Sequence, residues 1–444
     1  MAVPLTQFLA SSKQSYLRDI LANRGKEWTV VMGNEAGDLD TLASSIAYAY
    51  YLSTYKKTQS VALVQMDRID IRLRAENLYA LSLAGITDPA SQLLFLSDLS
   101  PSASNPTTFP SNKFALVDHN KLDPRYESPS AVVTAIIDHH ADEAQHLSAD
   151  PRIIQEAGSC SSLIADYFFP STTTTGQDEN ETKFEIPTEL ATLLTCAMLI
   201  DTNGLKPKGK AQTVDHIAAY NLLPRSSLAP EVDALLPPSL TGGDLTIEQQ
   251  EQVHDIPALQ QLTSTLSTKK TDLSHLSTYD IIRRDFKEYA YEIPSSSVSA
   301  TEGEKINIKA GLSTVPLPLE GDWAADGKLL NSALDWMDRR GLSILGILTT
   351  FRAMKHGDKK GKHEREQVWI VRSESPESPT FLANLANKLF AGLEASEDLQ
   401  LKEHKKFKVD VGDREDVRVK VYKQKNGDVT RKGVAPLLAK ILVG

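Results

Sequence analysis

The chain has 444 residues, 41% hydrophobic and 24% charged, with a net charge of −10; it can core two or three domains and is too acidic for a general nucleic-acid binder. Two cysteines, Cys160 and Cys196, exclude a disulfide framework or a thiolate zinc site. No run of about 18 apolar residues marks a membrane span, and the first twenty residues lack the basic-then-apolar order of a secretory leader, so a soluble cytoplasmic protein is expected.

The first half alternates short apolar runs with helical patterns. WTVVMG (28–33), VALVQM (61–66), LLFLSD (93–98), FALVDH (114–119) and VVTAIIDH (132–139) read as buried strands. TLASSIAYAYYLSTY (41–55), DIRLRAENLYALSLAG (70–85) and two further stretches, near 159–169 and 188–200, read as helices. Strand–helix alternation predicts an α/β fold with a mostly parallel sheet covered on both faces. STTTTGQDENET (171–182) reads as a surface loop, and the Pro-, Ser- and Gly-containing 222–244 stretch as a linker. Beyond it, 343–354 and 367–373 read as paired strands around a charged loop at 356–366, 378–394 as a helix and 417–423 as a strand. No internal repeat is evident. Charge is uneven: residues 339–444 carry +8 and the rest is acidic, as if one part held cations and the other an anionic ligand.

Chemistry-bearing residues gather where apolar runs stop. The first strand runs into Gly33-Asn34 and on to Asp38 and Asp40. The fourth runs into Asp118-His119-Asn120, the fifth into Asp138-His139-His140, and a further apolar stretch into Asp201. In a parallel sheet, neighbouring strands bring such ends to one edge. Carboxylates so gathered repel unless cations neutralise them, and an oxygen-and-imidazole set suits Mg²⁺, Mn²⁺ or Co²⁺ better than a thiolate-seeking metal. Each cluster alone is an ordinary turn or cap; the four in this order are not. Asp98 is read as turn structure, Ser159 as a plain helix cap, Asp215 with His216 as helix surface or support, and both cysteines as buried apolar residues.

The ordered set resembles the DHH phosphoesterase superfamily, named for a triplet like Asp138-His139-His140. Within it the chain is similar to the branch holding family II inorganic pyrophosphatases, prune proteins and fungal cytosolic exopolyphosphatases. The resemblance covers nearly the whole chain, since Thr430-Arg431-Lys432 stands where that branch has a Ser-Arg-Lys-type motif and RRDFKEY (283–289) matches a phosphate-contacting motif through Lys287. It implies a DHH metal-binding domain at 1–222, a linker at 223–245 and a smaller α/β DHHA2 domain at 246–444, with the active site in the cleft between them. It further implies metal ligands Asp38, Asp40, Asp118, His139 and Asp201, with Asp118 and Asp201 shared by two divalent ions. His140, Lys287, Arg431 and Lys432 would contact phosphate, and His119 and Asp138 would orient ligands. Asn34 departs from the pyrophosphatase pattern, where a His binds metal; an amide oxygen is a weaker, harder ligand and shifts preference toward Mg²⁺. Gly242-Gly243-Asp244 is a poor match to the glycine-rich signature of nucleic-acid-acting relatives. The implied activity is metal-dependent exopolyphosphatase action on inorganic polyphosphate by a monomer, with no membrane or nucleic-acid partner. Pyrophosphate or nucleotide-polyphosphate hydrolysis and a prune-like interaction role are the alternatives. Lys405, Lys406, Lys408, Arg339 and Arg340 are read as solvated surface that could line an anion path.

Overall fold

The computed structural model describes residues 2–99, 109–169, 184–232, 235–236, 246–294, 305–353, 361–373 and 379–444. The 171–182 loop and Gly242-Gly243-Asp244 lie outside the described residues. The chain forms two compact units, Met1–Asp272 and Leu273–Gly444.

The first unit runs α1 (Leu5–Leu21), β1 (Thr29–Met32), α2 (Leu39–Thr54), β2 (Ser60–Val64), α3 (Ala75–Leu83), α4 (Pro89–Gln92), β3 (Leu94–Phe95), β4 (Lys113–Val117), β5 (Val132–Asp138), β6 (Arg152–Ile154), α5 (Cys160–Phe168), α6 (Thr188–Asp201), α7 (Thr213–Leu222), α8 (Ala229–Val232), α9 (Ile247–His254) and α10 (Pro257–Thr271). The six strands are all parallel, in the order β3-β2-β1-β4-β5-β6. Every residue of β1 and β2 is buried, so these strands show continuous apolar runs rather than alternation. The two faces separate by residue parity: Val31 packs into the cluster of Leu42, Ile46 and Leu193, whereas Val30 and Met32 pack with Tyr16 and Trp28. The chain leaves β1 toward β2 and returns on the other side at β4. The strand order therefore reverses between β1 and β4, and the crevice at their carboxyl ends is where such sheets place ligands.

The second unit runs α11 (Thr278–Arg284), β7 (Phe286–Pro294), β8 (Lys305–Val315), α12 (Lys328–Arg340), β9 (Ile344–Thr349), β10 (Phe351–Ala353), β11 (Lys362–Arg372), α13 (Pro379–Glu394), β12 (Leu401–Glu403), β13 (Val417–Gln424) and α14 (Arg431–Val443). Its sheet has the order β12-β13-β11-β9-β8-β7, with β10 on β11. Only β8 and β9 pair parallel among these strands. One face packs Ile344, Trp369 and Val371 against Leu385 and Leu438. The other packs Leu345, Ile347 and Ile370 against Leu334 and Met337.

Several local expectations change. The 70–85 helix is a 3₁₀ turn at Arg68–Leu73 followed by α3. The run at 93–98 supplies two strand residues before a second 3₁₀ turn. Half of the charged loop at 356–366 is strand, because β11 starts at Lys362 and its charged residues pair with β10. The front of the expected linker is structured: Leu223 and Val232 are buried in the first core. Residues 247–271, assigned by sequence to the second domain, form α9 and α10 of the first unit. Leu259, Leu262 and Leu266 recur at helical spacing and are buried there.

Ile46 is fully buried in the middle of α2. Ile46→Ala should destabilise the first unit by about 2–5 kcal/mol, read as a lowered denaturation midpoint; an unchanged midpoint would contradict this packing.

Candidate metal centre

The loop after β1 carries Asn34, Asp38 and Asp40 and lies close on α2. A Cβ at Gly33 would stand 2.3 Å from the Thr41 Cγ2 and 2.9 Å from its carbonyl oxygen, so only glycine permits the approach. The loop is held from outside. The Arg74 guanidinium donates to the Ala36 carbonyl at 2.6 Å and the Asn77 amide to the Gly37 carbonyl at 2.9 Å. Asp38 caps α2, accepting from the Thr41 N–H at 3.1 Å.

Asp118 follows β4 with φ of +60°, a left-handed conformation that costs most residues energy but that Asp tolerates. Its Oδ2 accepts from the Thr41 hydroxyl and, at 2.8 Å, from the Asn34 amide. The Asn34 amide also donates to the Asp118 carbonyl at 3.0 Å, and its oxygen accepts from the Ala36 N–H at 2.9 Å. Asn34 in this arrangement orients Asp118. On the other side, Asp118 Oδ1 lies 3.1 Å from His139 Nε2 and 3.6 Å from His140 Nδ1. Ligand atoms of Asp118, His139 and His140 all lie within 4.8 Å of one another, close enough to share a metal ion.

Asp138 sits beneath this group. It is buried and accepts from the backbone N–H of His139 and His140, from His140 Nδ1 at 2.9 Å and from the Asn120 amide at 2.6 Å. Burial opposes its ionisation, but the hydrogen bonds from His140 and Asn120 outweigh that and hold its pKa below the ordinary value. Its job is to fix both histidines. The Nδ1 of the half-buried His119 meets the Val117 carbonyl at 2.9 Å, and desolvation lowers its pKa.

Asp40 is buried against the N-terminus of α5. Its carboxylate accepts from the N–H groups of Cys160 and Ser161 at 2.7 and 2.8 Å and from the hydroxyls of Ser159 and Ser161, both at 2.7 Å. The anion that α5 binds is thus a side chain of the same chain, and Ser159 spends its hydroxyl on Asp40 rather than on a helix cap. Cys160 donates its thiol to the Ile137 carbonyl, and Cys196 is buried. The turn before α5 is pinned by Asp215, which is fully buried, not on a helix surface. Asp215 accepts from Gly158 N–H at 2.7 Å and Ser159 N–H at 3.2 Å. Asp201 ends α6, the helix expected near 188–200, and lies 3.7 Å from Lys270 Nζ.

Electrostatics ties these carboxylates together. Burial, then the charges of Asp40 and Asp38, raise the Asp118 pKa against the relief from His139. Burial and the same two carboxylates push Asp201 up to about 7 despite Lys270. Burial would lower the His139 pKa, yet the hydrogen bond to Asp118 and the charges of Asp40 and Asp118 hold it at about 9. A cluster that raises the pKa of two of its carboxylates and of its imidazole is short of positive charge. The donor set fits a divalent metal: oxygens plus one imidazole Nε2, whose Nδ1 is set by the Ala157 carbonyl at 3.0 Å, as ligating histidines are.

In the second unit, Arg431 opens α14 and is anchored at 2.9 Å to both the carboxylate and the carbonyl of Asp285. Asp285 directly precedes β7, which carries the half-buried Lys287. Lys432 is exposed in the first turn of α14, with Thr430 as cap. Arg340 is engaged by Glu288 at 2.8 Å and rests on Phe286 and Trp336. Lys405, Lys406 and Lys408 are exposed. Asp98 pairs with Lys13 and Arg68 and caps the Phe95 N–H, a structural turn. Sequence reasoning missed the supports Thr41, Arg74, Asn77 and Ser161, and named Asn120 in its cluster without a role. The available signal was a polar residue inside an otherwise apolar segment, which does not say what it touches.

Comparison with known proteins follows this geometry. Residues 28–198 match the family model described as DHH family, N-terminal domain, and residues 264–441 match the DHHA2 domain. A Schizosaccharomyces pombe protein named "Putative exopolyphosphatase" is 29% identical over 450 residues, covering 98% of this chain and 97% of that one. "Exopolyphosphatase PRUNE1" of Bos taurus is 25% identical over 274 residues, 61% of this chain and 51% of its own length. Among solved structures, a "Methanococcus jannaschii putative family II inorganic pyrophosphatase" superposes with a TM-score of 0.50 at 16% identity, covering 94% of this chain and 100% of that chain, a likeness of fold. From the acidic edge of its parallel sheet to the Arg-Lys pair that opens its last helix, the chain belongs to the DHH family and pairs that domain with a DHHA2 domain.

Proposed function

We propose that the protein is a metal-dependent exopolyphosphatase that releases orthophosphate from the ends of inorganic polyphosphate. The observation that carries this reading is the gathering of Asp118, His139 and Asp201 with the charges of Asp38 and Asp40 near the sheet's switch point, where burial and neighbouring carboxylates raise the Asp118 and Asp201 pKa values and Asp118 raises that of His139. The choice of polyphosphate is supported by the near full-length match to the Schizosaccharomyces pombe protein. Two divalent cations held there, Mg²⁺, Mn²⁺ or Co²⁺, would supply Lewis acidity and acidify the attacking water.

The residues' own contributions follow from their contacts. Asp118 is fixed by Thr41 and Asn34, and Asp40 by α5, so neither carboxylate has to reorganise when charge develops. His140 has Nδ1 engaged by Asp138, which leaves Nε2 for a phosphate oxygen. That nitrogen would hydrogen-bond or protonate the leaving chain's oxygen as water adds to the terminal phosphorus. Arg431, held by Asp285, with Lys432 and Lys287, supplies positive charge for non-bridging oxygens. The basic 339–444 segment favours a longer polyanion over pyrophosphate.

Orthophosphate release from long-chain polyphosphate, with pyrophosphate in parallel, tests the reading. Fast metal-dependent release from the long chain and slow pyrophosphate turnover are expected; the reverse ranking would make the protein a pyrophosphatase. Asp118→Asn should abolish turnover in a folded protein, and near-normal activity would remove Asp118 from the metal set. Lys432→Ala should lower kcat/KM by about ten- to a hundredfold, and unchanged kinetics would remove it from the site.

His139 must lose its proton to ligate, so metal binding near pH 7 should release protons. Calorimetry in two buffers of different ionisation enthalpy reads this directly. The folded pKa of His139 lies above its ordinary 6.5, so in metal-free protein its stabilising contribution is present below pH 6.5 and lost as pH rises through about 9. The gain in Tm on adding Mn²⁺ should therefore grow over that window; a gain that shrinks would contradict the assignment.

A further inference from the structure

The first unit holds a second polar feature beside the carboxylates. A cavity of about 510 Å³ is lined by Asn203, Lys206, His254, Thr263, Ser267 and Thr271 among others. Thr263, Ser267 and Thr271 recur every four residues and so share one face of α10. The facing wall is the segment directly after Asp201. It is fixed there by His254 Nδ1, 2.8 Å from the Gly204 carbonyl. Gly204 has φ of +71°, and a Cβ on it would stand 3.0 Å from Thr263 Oγ1.

Three properties identify the ligand chemistry. The lining carries hydroxyls, amides, an imidazole and an ammonium group, and no carboxylate among the described residues. Thr263 is only 7% exposed, yet its hydroxyl has no hydrogen-bond partner, which a buried polar group rarely tolerates. The wall segment continues into Lys208 and Lys210, and the last turn of α10 carries Lys269 and Lys270, with Lys270 reaching Asp201. Hydroxyl and amide donors under a lysine suit a tetrahedral oxyanion, and the volume exceeds what one such group needs.

We propose that this cavity binds phosphate groups, as free orthophosphate or as units of the phosphate chain beyond those held at the carboxylates. The proposal rests on the phosphohydrolase reading for its substrate, but the site itself can be assayed without turnover. Lys206→Ala is exposed and safe for folding, and Thr263→Val keeps the shape while removing the hydroxyl. If chain units bind here, both variants raise KM for long-chain polyphosphate about five- to tenfold and leave pyrophosphate turnover unchanged. If free orthophosphate binds here, product inhibition by orthophosphate weakens by a similar factor while KM for the chain stays fixed. Calorimetric titration of the intact protein and both variants with orthophosphate and with tripolyphosphate gives the direct readout. Affinities unchanged by both substitutions would overturn the proposal. An unaltered protein that hydrolyses no polyphosphate yet loses phosphate affinity on Lys206→Ala would retain this site and refute the activity instead.

Discussion

Buried carboxylates cannot all be ionised together without cations, and the first unit is organised around that constraint. Asp38 and Asp40, Asp118, and Asp201 come from three places in the sequence, and Asp118 and Asp201 both feel the charge of Asp38 and Asp40. Left alone, such a group keeps protons or moves apart. Here it is held in place by neutral donors and by one imidazole that takes up a proton to balance the charge. On the proposed reading, bound metal would offset the cost of this arrangement and couple the first unit's stability to metal occupancy.

The fold supplies what holds the group together. Strand order reverses between β1 and β4, so the two loops carrying Asp38, Asp40 and Asp118 open onto one crevice. β5 adds Asp138, His139 and His140 one strand further along. α5 turns its unpaired N–H groups on Asp40, and Asp215 pins the turn that aims α5. Positive backbone φ at Asp118 is the local strain that directs its carboxylate toward His139. On the proposed reading, removing any of these supports should leave the proposed ligand residues present but misdirected.

Much of this was legible in the amino-acid order. Continuous apolar runs such as TVVM and SVALV marked a sheet buried on both faces, and Asp118, His139 and His140, where two of the apolar runs stop, lie within 4.8 Å of one another. The helix read near 188–200 is α6, which ends on Asp201. The helices α9 and α10 were hidden because a Pro- and Gly-rich stretch before them looked like a domain boundary, while the leucines that bury α10 lie within a polar segment. The partners of Asp40, Asp118 and Asp138 were not legible. Ser161, Thr41 and Asn120 lie 121, 77 and 18 residues away from the carboxylates they serve, and such pairings depend on packing rather than on local pattern.

The central claim is that these residues hold divalent metal. Electron paramagnetic resonance of Mn²⁺ added to the metal-free protein, alongside His139→Gln, tests it most directly. Loss of the free Mn²⁺ signal on titrating the unaltered protein, with binding strongly weakened in His139→Gln, is the predicted result. Mn²⁺ that stays free in solution, or that binds equally well to both proteins, would contradict the account.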